Sequence, residues 1–136
     1  MLKFIDTNIF VYSFLNQGKE KQDFSTQLIN DSINKNELVI SGLILQELVY
    51  ILSKNSIEKN IIYEYYDKLQ VFSNNITNNK ILKDANLLAL KLNYFQHIND
   101  CIHIKFAETY CDKIITYDND FEKFRKHTKL EIEILK

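Results

Sequence analysis

Four short apolar segments, each separated from the next by sequence with helical periodicity, restrict this chain to few folds. Leu2–Ile5, Leu38–Ile40, Lys113–Thr116 and Leu130–Leu135 read as strands. The predicted helices are Asn8–Leu15, Lys19–Asn34, Gly42–Lys54, Ile57–Phe72, Asn79–Leu92 and Asp100–Cys111, with a short turn from Asp120. Phe24, Leu28 and Ile33 fall near one face of the second helix, and Ala85, Leu88, Ala89 and Leu92 take core spacing in the fifth. Ser41 or Gly42 is placed to cap the third helix and Ser56 the fourth. Strands alternating with helices imply crossover connections and a mostly parallel sheet covered on both faces. The predicted class is α/β, with more helix than strand. Proline is absent and only Gly18 and Gly42 are present, so asparagine takes over the punctuation, as in Asn34-Lys35-Asn36, Asn78-Asn79 and Asn93.

The chain of 136 residues suits one domain over 1–136, and a globular chain of that size buries about two-thirds of its unfolded surface. With 17 basic and 18 acidic residues, it is neither a basic nucleic-acid coat nor an acidic tail, although local patches can differ from the sum. No charged leader runs into an apolar segment, and no apolar run approaches the roughly 20 residues of a membrane helix. Cys101 and Cys111 lie in one predicted helix, about 15 Å apart along its axis, too far to bridge. A soluble cytoplasmic protein with free thiols is the expectation.

Ligands in open α/β sheets bind beyond the carboxyl ends of the strands. Leu2-Lys3-Phe4-Ile5 runs into Asp6, and Lys113-Ile114-Ile115-Thr116 runs into Tyr117 and Asp118. Each Asp taken singly reads as a turn or cap residue; the pairing at two strand ends raises the interest of both. Glu47 lies in a helix apolar on nearly every side, either as a buried acid or in a narrow solvent stripe with Gln46, Ser53 and Lys54. Asp100 heads the otherwise core-like stripe Ile104, Ala107, Cys111; Asn99 or Asp100 would also serve as an N-cap. Four carboxylates around one pocket repel one another unless a cation is present, and oxygen ligands suit Mg²⁺ or Mn²⁺ rather than zinc. His97, His103 and His127 show no ligand spacing. His103, three residues from Asp100, is expected as an exposed helix residue. Gly-rich phosphate loops, nucleophile elbows and zinc-type Cys/His spacings do not occur.

Asp6-Thr7-Asn8 after the first strand, Gln46-Glu47-Leu48, Asp100-Cys101-Ile102-His103-Ile104-Lys105-Phe106-Ala107 and Thr116-Tyr117-Asp118-Asn119-Asp120-Phe121 together resemble the motifs of a PIN-domain nuclease. The chain is most similar to the short VapC-type toxins of toxin–antitoxin pairs, over nearly its whole length and in the same motif order. Cys111-Asp112-Lys113 departs from the pattern by lacking a glycine often seen there. The resemblance implies a three-layer α/β/α sandwich and a Mg²⁺- or Mn²⁺-dependent endoribonuclease. It places the metal site on Asp6, Glu47, Asp100 and Asp118, with Asp120 as an accessory carboxylate and Thr7, Asn8 and Thr116 as supporting hydrogen-bonders.

Such a centre would hydrolyse accessible RNA phosphodiesters with metal-activated water. Lys123, Arg125 and Lys126, with Lys129, form the one dense basic stretch, a candidate RNA contact or simply a solvated helix end. The expected partners are RNA, a cognate antitoxin and a second copy of the chain. Ile9, Phe10, Tyr12 and Phe14, with Leu45, Val49 and Leu52, offer apolar material for an antitoxin groove, for the core or for a homodimer interface. Two other functions compete. One is a catalytically silent binding module, against which all four carboxylates speak. The other is a phosphohydrolase of the haloacid-dehalogenase class, which needs a second Asp where Asn8 stands.

Overall fold

The computed structural model describes residues 1–136. Four strands, β1 (Lys3–Ile5), β2 (Leu38–Val39), β3 (Lys113–Thr116) and β4 (Glu131–Ile134), form one sheet in the order β2-β1-β3-β4, and every pairing is parallel. Six α-helices cover it in a three-layer α/β/α arrangement: α1 (Thr7–Phe14), α2 (Lys19–Asn34), α3 (Gly42–Lys54), α4 (Lys59–Leu69), α5 (Asn79–Leu92) and α6 (Ile98–Tyr110). The chain leaves β1 for β2 on one side and reaches β3 on the other, so strand order reverses between β1 and β3. That reversal opens a crevice at their carboxyl ends.

Local chemistry explains most boundaries. Ser41 Oγ accepts from Ile44 N at 3.1 Å and starts α3, while Asn78 Oδ1 accepts from Ile81 N at 3.0 Å and starts α5. Asn93 closes α5 in the left-handed region at φ 53°, and Asn36 turns the chain into β2 at φ 56°, so asparagine does stand in for glycine. Gly18, at φ 137°, caps α2 in a conformation that side chains disfavour. The segment lacking a glycine needs none: Cys111 is extended, and Asp112 N donates to Leu2 O at 2.8 Å.

Several expectations are corrected. Ser56 does not cap α4; it sits at φ 61°, and Glu58 Oε2 accepts from Ile61 N instead. The predicted helix to Phe72 tightens into a 3₁₀ turn at Gln70–Phe72. Another 3₁₀ turn at Phe95–His97 runs directly into α6, so Asn99 and Asp100 lie inside the helix rather than at its cap. The turn from Asp120 is a 3₁₀ segment of nine residues, Asn119–His127.

The core is built on Phe4, Ile5, Ile9, Phe10, Phe106, Phe121 and Phe124. Ile9, Phe10, Leu45 and Leu52 are buried in it and are not groove material, because α1 and α3 turn those faces inward. Phe24 reverses its expected role: it is 51% exposed, and α2 buries Ser25, Ile29 and Ser32. Both cysteines are free, with Cys101 buried. Burial pushes their thiols up, to about 11 and about 12, which keeps them in the unreactive protonated form. No helix is long and apolar enough to cross a membrane.

Candidate active site

Asp6 is the first residue beyond β1, and its position follows from the sheet. Its backbone N donates to Ile115 O of β3 at 3.0 Å, which turns the carboxylate into the crevice. Asp6 Oδ1 accepts from Thr7 N at 2.8 Å, and Oδ2 accepts from Thr116 Oγ1 at 2.7 Å. Thr116, the last residue of β3 and fully buried, organises the crevice through one hydroxyl. It donates to Asp6 and accepts from Asp118 N at 3.0 Å and from Asn8 Nδ2 at 3.5 Å, using its donor and both lone pairs. Asn8 Oδ1 in turn accepts from Tyr117 N at 3.4 Å, tying α1 to the β3 end.

Glu47 belongs to the site rather than to a solvent stripe. Its Oε1 accepts from Thr7 Oγ1 at 2.6 Å and from His103 Nε2 at 2.9 Å, and its Oε2 accepts from Asn99 Nδ2 at 3.2 Å. Elements far apart in sequence therefore clamp one carboxylate. His103 was expected on the surface and is 1% exposed. The reason is helical geometry: residues i and i+3 share a face, so Asp100 carries His103 into the crevice with it. One ligand atom each from Asp6, Glu47 and His103 lie within 4.8 Å of one another.

Asp6, Glu47, Asp100 and Asp118 line one cleft of about 490 Å³, with Tyr50 exposed at its mouth. Asp120 is exposed beside it, its backbone N held by Asp118 Oδ1 at 2.9 Å. No residue of the basic stretch lines that cleft. Lys126 lines a separate cleft with Lys105, Cys111 and Lys129, by the amino ends of β3 and β4. Arg125 pairs with Glu122 and donates to Ile132 O, and Lys123 lies over the Tyr94 ring. Sequence reasoning missed Asn99 and His103 as parts of the site. The i, i+3 spacing from Asp100 was the available signal for His103.

The charges in this crevice are strongly coupled. Burial raises the Asp100 carboxyl to about 7, helped by the charges of Asp6, Asp118 and Glu47 and opposed by His103. Burial also raises Asp6, despite His103 and the hydrogen bonds from Thr116 and Thr7. Burial works against the charged form of Glu47 too, but the hydrogen bonds and charge of His103, with Thr7 and Asn99, outweigh it and hold Glu47 below its usual range. His103 is the counterpart: burial favours its neutral form, and the Glu47 hydrogen bond with the surrounding carboxylates raises it regardless. His103 and Glu47 thus shift each other in opposite directions, Glu47 toward its ionised form and His103 toward its protonated form. The charges of Asp6, Asp118 and Glu47 still raise Asp100, and that of Glu47 raises Asp6, a repulsion that a bound cation would relieve. The donors left open are oxygens, which fit a hard divalent ion.

The comparisons agree with this geometry. No curated protein matches the chain. A chain in the crystal structure of VapBC2 from Rickettsia felis, bound to a DNA fragment from their promoter, superposes with a TM-score of 0.70. The superposition covers 100% of both chains at 21% identity, a likeness of fold. The family model of the PIN domain matches residues 3–127, and the chain belongs to that family.

Proposed function

We propose that the protein, as one domain over residues 1–136, is a metal-dependent endoribonuclease and the toxin of a toxin–antitoxin pair. The carrying observation is the convergence of Asp6, Glu47, Asp100 and Asp118 on one cleft, with Asp100 raised to about 7 by burial and by its acidic neighbours. These four residues would hold Mg²⁺ or Mn²⁺, which supplies charge neutralisation at the phosphate and acidifies water. Thr116 and Thr7 fix the Asp6 carboxylate, so its orientation is set before substrate arrives. His103 keeps Glu47 ionised and immobile. A carboxylate oxygen of the cluster that the ion does not engage would take the proton of the attacking water. Asp100, at about 7 before an ion binds, is the member that would exchange its proton for the metal.

Membership of the PIN family and the VapBC2-like fold support an antitoxin partner that blocks the cleft in the producing cell. Tyr50 is exposed at the cleft mouth, where an inhibitory segment would meet it. Leu87 and Leu90 on α5 are exposed apolar residues that a second copy would cover. Asn8, hydrogen-bonded on both amide atoms to the β3 end, has a structural role, which removes support for phosphohydrolase chemistry.

The test is induction of the protein alone in a bacterial host, with parallel RNA cleavage by the purified chain in Mg²⁺ or Mn²⁺. Growth arrest and cleavage are expected, both lost in Asp6→Asn and Asp100→Asn. Equal toxicity and cleavage by wild type and both variants would overturn the site. A wild type without either activity would overturn the ribonuclease.

A further inference from the structure

Next to the carboxylate cleft lies a second one, of about 640 Å³, whose wall shares Tyr12 and Gln17 with the first. Tyr117, which lines it, directly precedes Asp118 of the acidic cluster. The two clefts therefore adjoin across Tyr12 and Gln17. In the second cleft, Lys21 Nζ lies 4.5 Å from the centre of the Tyr12 ring and 4.6 Å from that of Tyr117. The two rings meet edge to face at 5.2 Å. Lys21 is half-buried and makes no ion pair, whereas its neighbour Lys19 is engaged by Asp23. Phe24 is exposed in this cleft, which Lys19, Glu20 and Lys136 also line.

The two rings hold the Lys21 ammonium by cation–π attraction and leave its charge without an ion pair, free to meet an anion. Aromatic rings beside free lysine charge are what a single strand needs: ring faces to stack unpaired bases and cations to meet the phosphates. The geometry points to this cleft as the seat of a nucleotide flanking the scissile phosphate. Phe24 and Tyr117 stack its base, and Lys21 contacts its phosphate. This rests on the ribonuclease reading above and adds where the strand runs: from the acidic cluster past Tyr12 toward α2, not along Lys123–Lys126. The competing role is structural, with Lys21 and the two tyrosines holding α1 and α2 against the β3 end.

The experiment is fluorescence anisotropy of a short labelled oligouridylate with the full chain, divalent metal chelated, across a range of salt. Lys21→Met keeps the aliphatic packing and loses the charge. It is expected to weaken binding about fivefold to tenfold at low salt and to lower the salt slope by about 0.7, the loss of one single-strand phosphate contact. Phe24→Ala, at an exposed position that does not support the core, is expected to weaken binding about tenfold. Lys83→Met on exposed α5 serves as the control and leaves binding unchanged. If wild type binds and both cleft variants bind as tightly, with only the melting temperature of Lys21→Met lowered, the cleft assignment falls and the ribonuclease stands. Duplex RNA bound as tightly as the single strand would also overturn it, since paired bases cannot stack on Phe24. A wild type that neither binds the oligouridylate nor cleaves RNA overturns both.

Discussion

His103 Nε2 lies 2.9 Å from Glu47 Oε1, across 56 residues of sequence, with His103 buried and Glu47 at the wall of the cleft. This pair sets the charge of the site. It holds Glu47 ionised in one orientation, and the carboxylates around His103 raise the imidazole in turn.

Removing the histidine leaves Glu47 facing Asp6 with only the Thr7 and Asn99 hydrogen bonds. His103→Leu is expected to destabilise the fold by about 2–3 kcal/mol, below the usual cost of breaking a fully buried pair because Glu47 keeps some contact with solvent. The double variant with Glu47→Gln should recover part of that loss, giving a coupling of about 1–2 kcal/mol in a urea-denaturation cycle. Strict additivity of the two single variants would contradict the pairing.

Asp100 makes the metal-free protein sensitive to pH. Its carboxyl is at about 7 in the folded chain against an ordinary 3.8, so the native state holds a proton that the unfolded state has released. Native proton excess means that stability falls as pH rises, here from about 4 to about 7, with no further change above. The loss is on the order of 2–4 kcal/mol. His103, also raised, adds a fall of the same sign, since its contribution is lost as pH passes through its folded value. Asp100→Asn should be more stable than wild type at pH 8 and show a much shallower slope in denaturant midpoints. Wild-type slope retained in Asp100→Asn would refute this origin.

Thr116→Val keeps the shape of a fully buried side chain and deletes the hydroxyl that Asp6, Asp118 N and Asn8 share. A cost of about 2–3 kcal/mol is expected from the partners left unpaired. Thr116→Ser, which retains the hydroxyl, should lose less. Nuclease activity should follow the same order, and a Val variant as active as wild type would show that the Asp6 orientation does not matter.

Divalent metal should raise the melting temperature, because an ion bound only by the native state stabilises it by mass action and relieves carboxylate repulsion. At a free ion about 100 times Kd the gain is about 2.7 kcal/mol. Glu47→Gln should shrink that gain in Mg²⁺ or Mn²⁺. Calorimetry in buffers of different ionisation enthalpy should show proton release on binding near pH 7, as Asp100 gives up its proton.

Local chemistry made much of this protein legible. The strands Lys113–Thr116 and Lys3–Ile5 could be read because a short apolar run ending in a polar residue announces a buried strand and its exit into the crevice. Asp6 and Asp118 were identifiable for the same reason, and α2, α3 and α5 had the predicted bounds because periodicity marks each and Ser41 and Asn78 start the latter two. The surroundings of Glu47 and His103 were decided in three dimensions. A polar side chain in a helix is buried or exposed according to what packs opposite it, and Thr7, Asn99 and His103 reach Glu47 from α1 and α6. The start of α6 at Ile98, ahead of Asp100, likewise depends on the 3₁₀ turn that feeds it. Lys21 resembled any other surface lysine until α1 and β3 brought Tyr12 and Tyr117 to either side of it. Periodicity reports which face of an element is apolar. It carries no information on which distant element covers that face, and the charge of a buried group is set by that neighbour.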